Sequence, residues 1–189
     1  MTVRVMLVTP AMSEALREAR FDDDAELDGE GRRRAEAVRG AVPGADRYLS
    51  GPSRRCRATA AALGLRATPE PALADWDTGR WRGRLLEEVS AAEPDAVSTW
   101  LTDPSAAPHG GESLIDLCGR VDGWLEEVSG GGGRVLAVVQ PSVVRAALVR
   151  ALALSPTVFW RLDVTALTVT ELSGRAGRWN LRCGRPLTP

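Results

Sequence analysis

Two short and almost wholly apolar runs, Arg4–Val8 (RVMLV) and Arg134–Val139 (RVLAVV), constrain this chain more than any other feature. A strand with one face in water alternates apolar and polar residues, whereas a strand covered on both faces does not. Both runs are of the second kind, so both sit inside a sheet with helices on either side. The helices that would cover it are legible. Leu114, Leu117, Cys118, Val121, Trp124, Leu125 and Val128 recur at helical spacing and predict one apolar stripe along 113–128, with Asp116, Asp122, Glu126 and Glu127 mostly off it. Pro141–Ala153 reads as a helix that starts on proline, whose missing N–H is no loss in a first turn.

The rest of the chain continues the alternation. Helices are expected at 27–40, with Asp28 as N-cap, and at 53–63, ended by Gly64. A short strand is expected at 47–49, and short helices at 85–92 and 95–101, split by Pro94. The segment from Pro69 to Gly83, rich in Pro, Gly and Trp, reads as loop. Ser129–Gly133 reads as a surface turn; a strand follows it and no helix, which argues against a phosphate loop. Residues 166–172 and 179–183 alternate as a closing hairpin around Gly174–Gly177. The predicted fold is a three-layer α/β/α sandwich on a mostly parallel sheet, formed by residues 1–189 as one domain. In such sheets ligands gather beyond the carboxyl ends of the strands. Here those ends are Thr9-Pro10-Ala11 and Gln140-Pro141-Ser142.

Composition then removes whole classes of chemistry. All 24 basic residues are arginine, so lysine Schiff bases, P-loop lysines and lysine general bases are excluded. The one histidine, His109, excludes any mechanism that needs two. A net charge of -1 gives no field for nucleic acid or an anionic membrane surface. No apolar run approaches the ~20 residues of a membrane span. MTVRVMLVTP reads as a strand and not as a secretion signal. Cys56, Cys118 and Cys183 form no metal or redox motif, and an odd count without a signal points to reduced, cytoplasmic thiols. No metal and no cofactor is expected.

Several segments occur in an order that resembles the histidine phosphatase superfamily, the phosphoglycerate mutase-like proteins. That family opens on a strand running into Leu-Val-Arg-His-Gly-Glu-Thr; here stands Leu7-Val8-Thr9-Pro10-Ala11-Met12-Ser13. Leu27-Asp28-Gly29-Glu30-Gly31 follows in place of Leu-Thr-x-x-Gly, then Gly51-Pro52-Ser53-Arg54-Arg55-Cys56-Arg57-Ala58-Thr59-Ala60 in place of Ser-Pro-Leu-x-Arg-Ala-x-x-Thr-Ala. Leu73-Ala74-Asp75-Trp76-Asp77-Thr78-Gly79-Arg80-Trp81-Arg82-Gly83 matches a Leu-x-Glu-x-x-x-Gly-x-Trp-x-Gly segment, and Gly111-Glu112-Ser113 a Gly-Glu-Ser. Val138-Val139-Gln140-Pro141-Ser142 stands where the family has a strand ending in His-Gly-Gly.

The resemblance implies a site around one phosphoryl group: a nucleophilic histidine, two arginines, a second histidine and a carboxylic acid that protonates the leaving oxygen. Carried over by position, the nucleophile is Pro10, the first arginine Thr9 and the second histidine Gln140; Arg55 is kept and Asp75 stands for the acid. Each charged hydrogen bond to phosphate contributes about 1.5–3 kcal/mol, so losing three such partners costs several orders of magnitude in affinity. Pro10 and Pro141 also lack N–H donors where a phosphate cradle needs them.

The expectation is therefore a degenerate member, a pseudophosphatase without phosphohistidine chemistry. It would bind a small anionic or polar ligand, or a protein partner, as a monomer or homodimer. Its candidate ligand-binding residues are Thr9, Arg55, Asp75, Glu112, Gln140 and Ser142. The alternative is altered chemistry, a phosphomonoester hydrolase or isomerase-like enzyme using Asp75 and Glu112. His109 is expected to be a solvated loop residue at the pocket rim. Trp76, Trp81 and Trp100 are expected to be core, with a pocket wall as their alternative role. In the run Arg54-Arg55-Cys56-Arg57 one arginine is expected to point inward.

Overall fold

A computed structural model describes residues 2–175 and 177–188. Its sheet has six strands: β1 (Val3–Val8), β2 (Arg47–Ser50), β3 (Thr68–Pro69), β4 (Gly133–Val138), β5 (Thr168–Arg175) and β6 (Arg178–Pro186). They lie in the order β3-β2-β4-β1-β5-β6. The two apolar runs, β1 and β4, are central and pair parallel, Val8 opposite Val138. β2 joins β4 in parallel with Ser50 opposite Val138. β3, β2, β4 and β1 are parallel, so the sheet is mostly parallel as expected, and β5 and β6 run antiparallel at its edge, which makes it mixed. The reason is local: the closing hairpin adds both of its strands to the β1 edge.

Side chains of β1 alternate between two cores. Val3, Val5 and Leu7 pack with helices α6 (Leu114–Gly131) and α7 (Pro141–Ala151), while Met6 and Val8 pack toward α2 (Gly29–Ala37) and α3 (Arg54–Ala62). These are the three layers. Asp28 caps α2 by accepting from the Gly31 N–H, and Ser53 caps α3 by accepting from that of Cys56. α6 is longer than expected: it continues through Ser129 and ends at Gly131, and the turn is confined to Gly132 and Gly133, both at positive φ. The two short helices are α4 (Leu86–Ala92) and α5 (Pro94–Thr102), with Pro94 opening the second. The hairpin strands are longer than expected; within its turn, residue 176 lies outside the described residues.

Five elements have no counterpart in the sequence reading: the single turn α1 (Glu14–Arg17), β3, and 3₁₀ helices over Pro71–Leu73, Gly79–Trp81 and Pro156–Arg161. Cys56 and Cys118 are buried free thiols; the side chain of Cys183 lies outside the described residues. No helix is long and apolar enough to cross a membrane among the described residues.

Candidate functional site

The register brings five segments to one edge of the sheet. Val8, Ser50 and Val138 are level, so residues 9–13, 51–53 and 139–142 emerge together. Pro69 pairs with Ser50, which delivers 70–78 to the same edge, and the antiparallel β5 starts there. Between these segments lies a cavity of about 220 Å³, continuous in its lining with an adjoining cleft of about 340 Å³; Asp22, Asp75, Trp76 and Thr78 border both.

The floor is a chain of polar side chains. Arg55 is buried, and its Nη1 donates to Ser13 Oγ (2.9 Å) while Nη2 donates to Gln140 Oε1. That bond fixes the Gln140 amide, whose Nε2 donates to Asp22 Oδ2 (3.2 Å) and Ser53 Oγ (3.3 Å). Gln140 is the N-cap of α7, and Ser142 in the first turn donates to Asp75 Oδ1. The Trp76 N–H donates to the same Oδ1 (2.8 Å). Burial pushes the Asp75 carboxyl up to about 6, and the nearby Asp22 carboxylate adds to the rise. The bonds from Ser142 and Trp76 and the charge of Arg55 only partly offset it.

The opposite wall is aromatic. Trp76, Trp100 and Trp160 have ring centroids 4.6–5.6 Å apart, and Phe159 and Phe21 close the ends. Arg145, one turn along α7 from Ser142, lies over the Phe159 ring at 5.6 Å and donates through Nε to Leu162 O (2.7 Å).

Of the residues singled out in the sequence, Arg55, Asp75, Gln140 and Ser142 meet in this cavity. Arg55 is the inward arginine of its run, while Arg54 and Arg57 are exposed. Thr9 does not join them. Its hydroxyl turns toward the start of β5 and donates to Thr165 O (2.6 Å), and the residue is 1% exposed. Pro10 is buried at the end of β1 and borders neither space.

Glu112 is corrected more sharply. Its carboxylate takes a two-pronged bond from Arg120 on α6 (2.8 and 2.9 Å), and it lines neither space. Arg120 also donates to Ala72 O and Ala74 O, so this pair anchors the loop that carries Asp75. A guanidinium satisfies several acceptors in one plane, and the available partner decided where Glu112 went.

His109 is also not where it was expected. It is 1% exposed, packed edge-on against Trp76, Trp81 and Trp100. Nδ1 accepts from the Gly111 N–H (3.0 Å), so the proton resides on Nε2, which has no partner among the described residues. Burial lowers its pKa and keeps it neutral. The loop can press so close because it crosses the 77–79 backbone at glycines: a Cβ on Gly111 would stand 2.2 Å from Asp77 O. Trp81 is core, whereas Trp76 and Trp100 are both core and pocket wall.

Asp22, Arg145, Phe159 and Trp160 were missed. Phe159-Trp160 follows Pro156 without helical or strand periodicity, and Asp22 sits in an acidic loop that reads as solvated. Neither carried a motif.

A family model described as the histidine phosphatase superfamily (branch 1) matches residues 11–184. The chain is 31% identical over 131 residues to a bifunctional protein of Mycobacterium tuberculosis; this covers 65% of the chain but only 36% of that relative. It is 32% identical over 135 residues to phosphoserine phosphatase 1 of Hydrogenobacter thermophilus, covering 67% of the chain and 64% of the relative. In fold it is similar to a mycobacterial glucosyl-3-phosphoglycerate phosphatase, with a TM-score of 0.85, 24% identity and full coverage of both chains.

Proposed function

The chain belongs to the histidine phosphatase superfamily (branch 1), and from that premise we propose that residues 1–189 act as one ligand-binding domain that does not form a phosphohistidine. The observation that carries this reading is the position of the one histidine. Phosphoryl transfer through histidine needs an imidazole facing the substrate, and His109 is enclosed by tryptophans behind the pocket wall. At the end of β1, where the family resemblance puts the nucleophile, stands Pro10. Gln140, at the second histidine position, is a neutral group that accepts from Arg55 and so occupies one edge of the only family arginine retained. The relatives named as phosphatases of phosphoserine and of glucosyl-3-phosphoglycerate act on phosphate esters; of the groups that the resemblance implies for such chemistry, this pocket keeps Arg55 and Asp75 and has no imidazole.

A second reading rests on Asp75. A carboxyl that titrates at about 6 exchanges its proton near neutrality, as a general acid or base must. Glu112 has no part in that version, since Arg120 holds it outside the pocket. The two readings separate in one assay. Purified protein is incubated with p-nitrophenyl phosphate and with phosphoserine, turnover is followed, and the acid-quenched protein is examined for phosphate. The expected result is no phosphoprotein and no turnover above a blank. Turnover that persists in His109→Ala and disappears in Asp75→Asn would replace the binding reading with the enzymatic one.

A further inference from the structure

Resting on the ligand-binding reading, we propose that the cavity takes a small organic cation: a protonated amine joined to an aromatic or apolar group. The first support is the state of the two carboxylates. Asp22 and Asp75 enter no ion pair among the described residues, and their hydrogen bonds come from neutral donors: the Gln140 amide, the Ser142 hydroxyl and the Trp76 N–H. Both bonds to Asp75 end on Oδ1 and the bond to Asp22 ends on Oδ2, so Asp75 Oδ2 and Asp22 Oδ1 have no donor among the described residues. Two carboxyl oxygens free of donors along one wall favour a shared positive charge.

The second support is where the positive charges of the protein have gone. Arg55 lines the cavity with Nη1 on Ser13 and Nη2 on Gln140, while its buried Nε has no partner among the described residues; it turns the Gln140 amide so that N–H, not C=O, faces Asp22. Arg20 is paired with Glu18 and bonded to Gly83 O. Arg145 stands at the other end, over Phe159. The adjoining cleft is bordered by Asp22, Asp24, Asp75 and Asp77 against one guanidinium, Arg82. That side of the site is therefore negative, which disfavours a phosphate there.

The third support is the wall itself. Trp76, Trp100 and Trp160 present ring surface next to the carboxylates, and indole faces attract cations as well as apolar groups. A cavity of about 220 Å³ is smaller than the roughly 300–1,000 Å³ of drug-sized sites. A single ring with a short amine arm suits it, with the amine at the carboxylate end and the ring among the tryptophans.

The test uses three probes that share one ring: benzylamine, benzyl alcohol and benzyl phosphate. Binding is followed at pH 8 by tryptophan fluorescence and by calorimetry. The expected order is benzylamine about tenfold tighter than benzyl alcohol, as one charge-assisted bond provides, with benzyl phosphate weakest. Asp22→Asn and Asp75→Asn should each shrink the amine preference to a few-fold, while Trp160→Ala weakens amine and alcohol together and keeps their ratio. Should a carboxylate variant fail to fold, salt decides on wild type: benzylamine affinity should fall as sodium chloride rises and benzyl alcohol affinity should not. Equal binding of amine and alcohol, or tighter binding of the phosphate, would overturn the proposal and leave a ligand-binding pocket of other specificity. Binding of none of the three would overturn the ligand-binding reading as well.

Discussion

Replacing Asp75 by asparagine should stabilise the protein, and only above acidic pH. The carboxyl titrates at about 6 in the folded chain against an ordinary 3.8, and at about 1.4 kcal/mol per pH unit this amounts to about 3 kcal/mol of folding free energy lost by pH 7 and above. The sign follows from the protons. Between pH 3.8 and 6 the folded chain holds a proton that the unfolded chain has released, so rising pH favours unfolding across that window. Asparagine removes the charge but keeps an oxygen where both donors end, because Ser142 and the Trp76 N–H meet the same Oδ1. The variant therefore sheds the desolvation cost without orphaning a partner. Urea denaturation at pH 4.5 and 7.5 measures it. The advantage of the variant over wild type should grow by about 2 kcal/mol between these pH values; contributions from titrating groups that do not interact with Asp75 cancel in the difference, and the repulsion from Asp22 is part of what is measured. An advantage that does not change with pH, or a variant less stable than wild type at pH 7.5, would refute the view that Asp75 is an uncompensated carboxylate.

Two further outcomes follow from neighbouring contacts. The single imidazole gives one set of ring-proton NMR signals, and these should titrate below 6.5 because burial disfavours the charged form; the stability that depends on neutral His109 is lost as pH falls below about 6.5, and a midpoint at or above that value would contradict the packing described. Arg120→Ala should cost about 2 kcal/mol, after allowing for partial solvent exposure of the pair, and Arg120→Lys should recover little because an ammonium cannot reproduce the planar fork; a Lys variant as stable as wild type in urea would show that Ala72 O and Ala74 O do not depend on it.

The layers were legible because they rest on periodicity. The unalternating runs at β1 and β4 and the stripe of α6 specify burial on both faces and on one face, and each element forms within a residue or a few of its expected bounds. The site was legible only in part. Arg55, Gln140 and Ser142 lie at helix starts next to strand ends, so the sheet itself delivers them, and Asp75 follows β3 on the loop that Arg120 holds. Glu112 and His109 sit on a loop whose course is decided by partners far away in sequence: Arg120 for one, the tryptophan cluster for the other. Local pattern holds no information about such partners. For the same reason Trp160 and Arg145 were invisible, since only the folded chain sets the 156–161 turn against the first turns of α7.

The floor of the cavity is assembled from the tips of side chains, with prolines at the two strand exits that would otherwise offer backbone N–H groups. Asp22, Asp75 and the Gln140–Ser142 turn belong to three separate segments, and none of these side chains closes a helix end. The polarity of the floor is thus uncoupled from the integrity of the frame. A single base change can turn a carboxylate into an amide here and leave the sheet beneath in place. Such a scaffold can drift from one ligand chemistry to another through folded intermediates, each step altering what is held and not whether the chain folds.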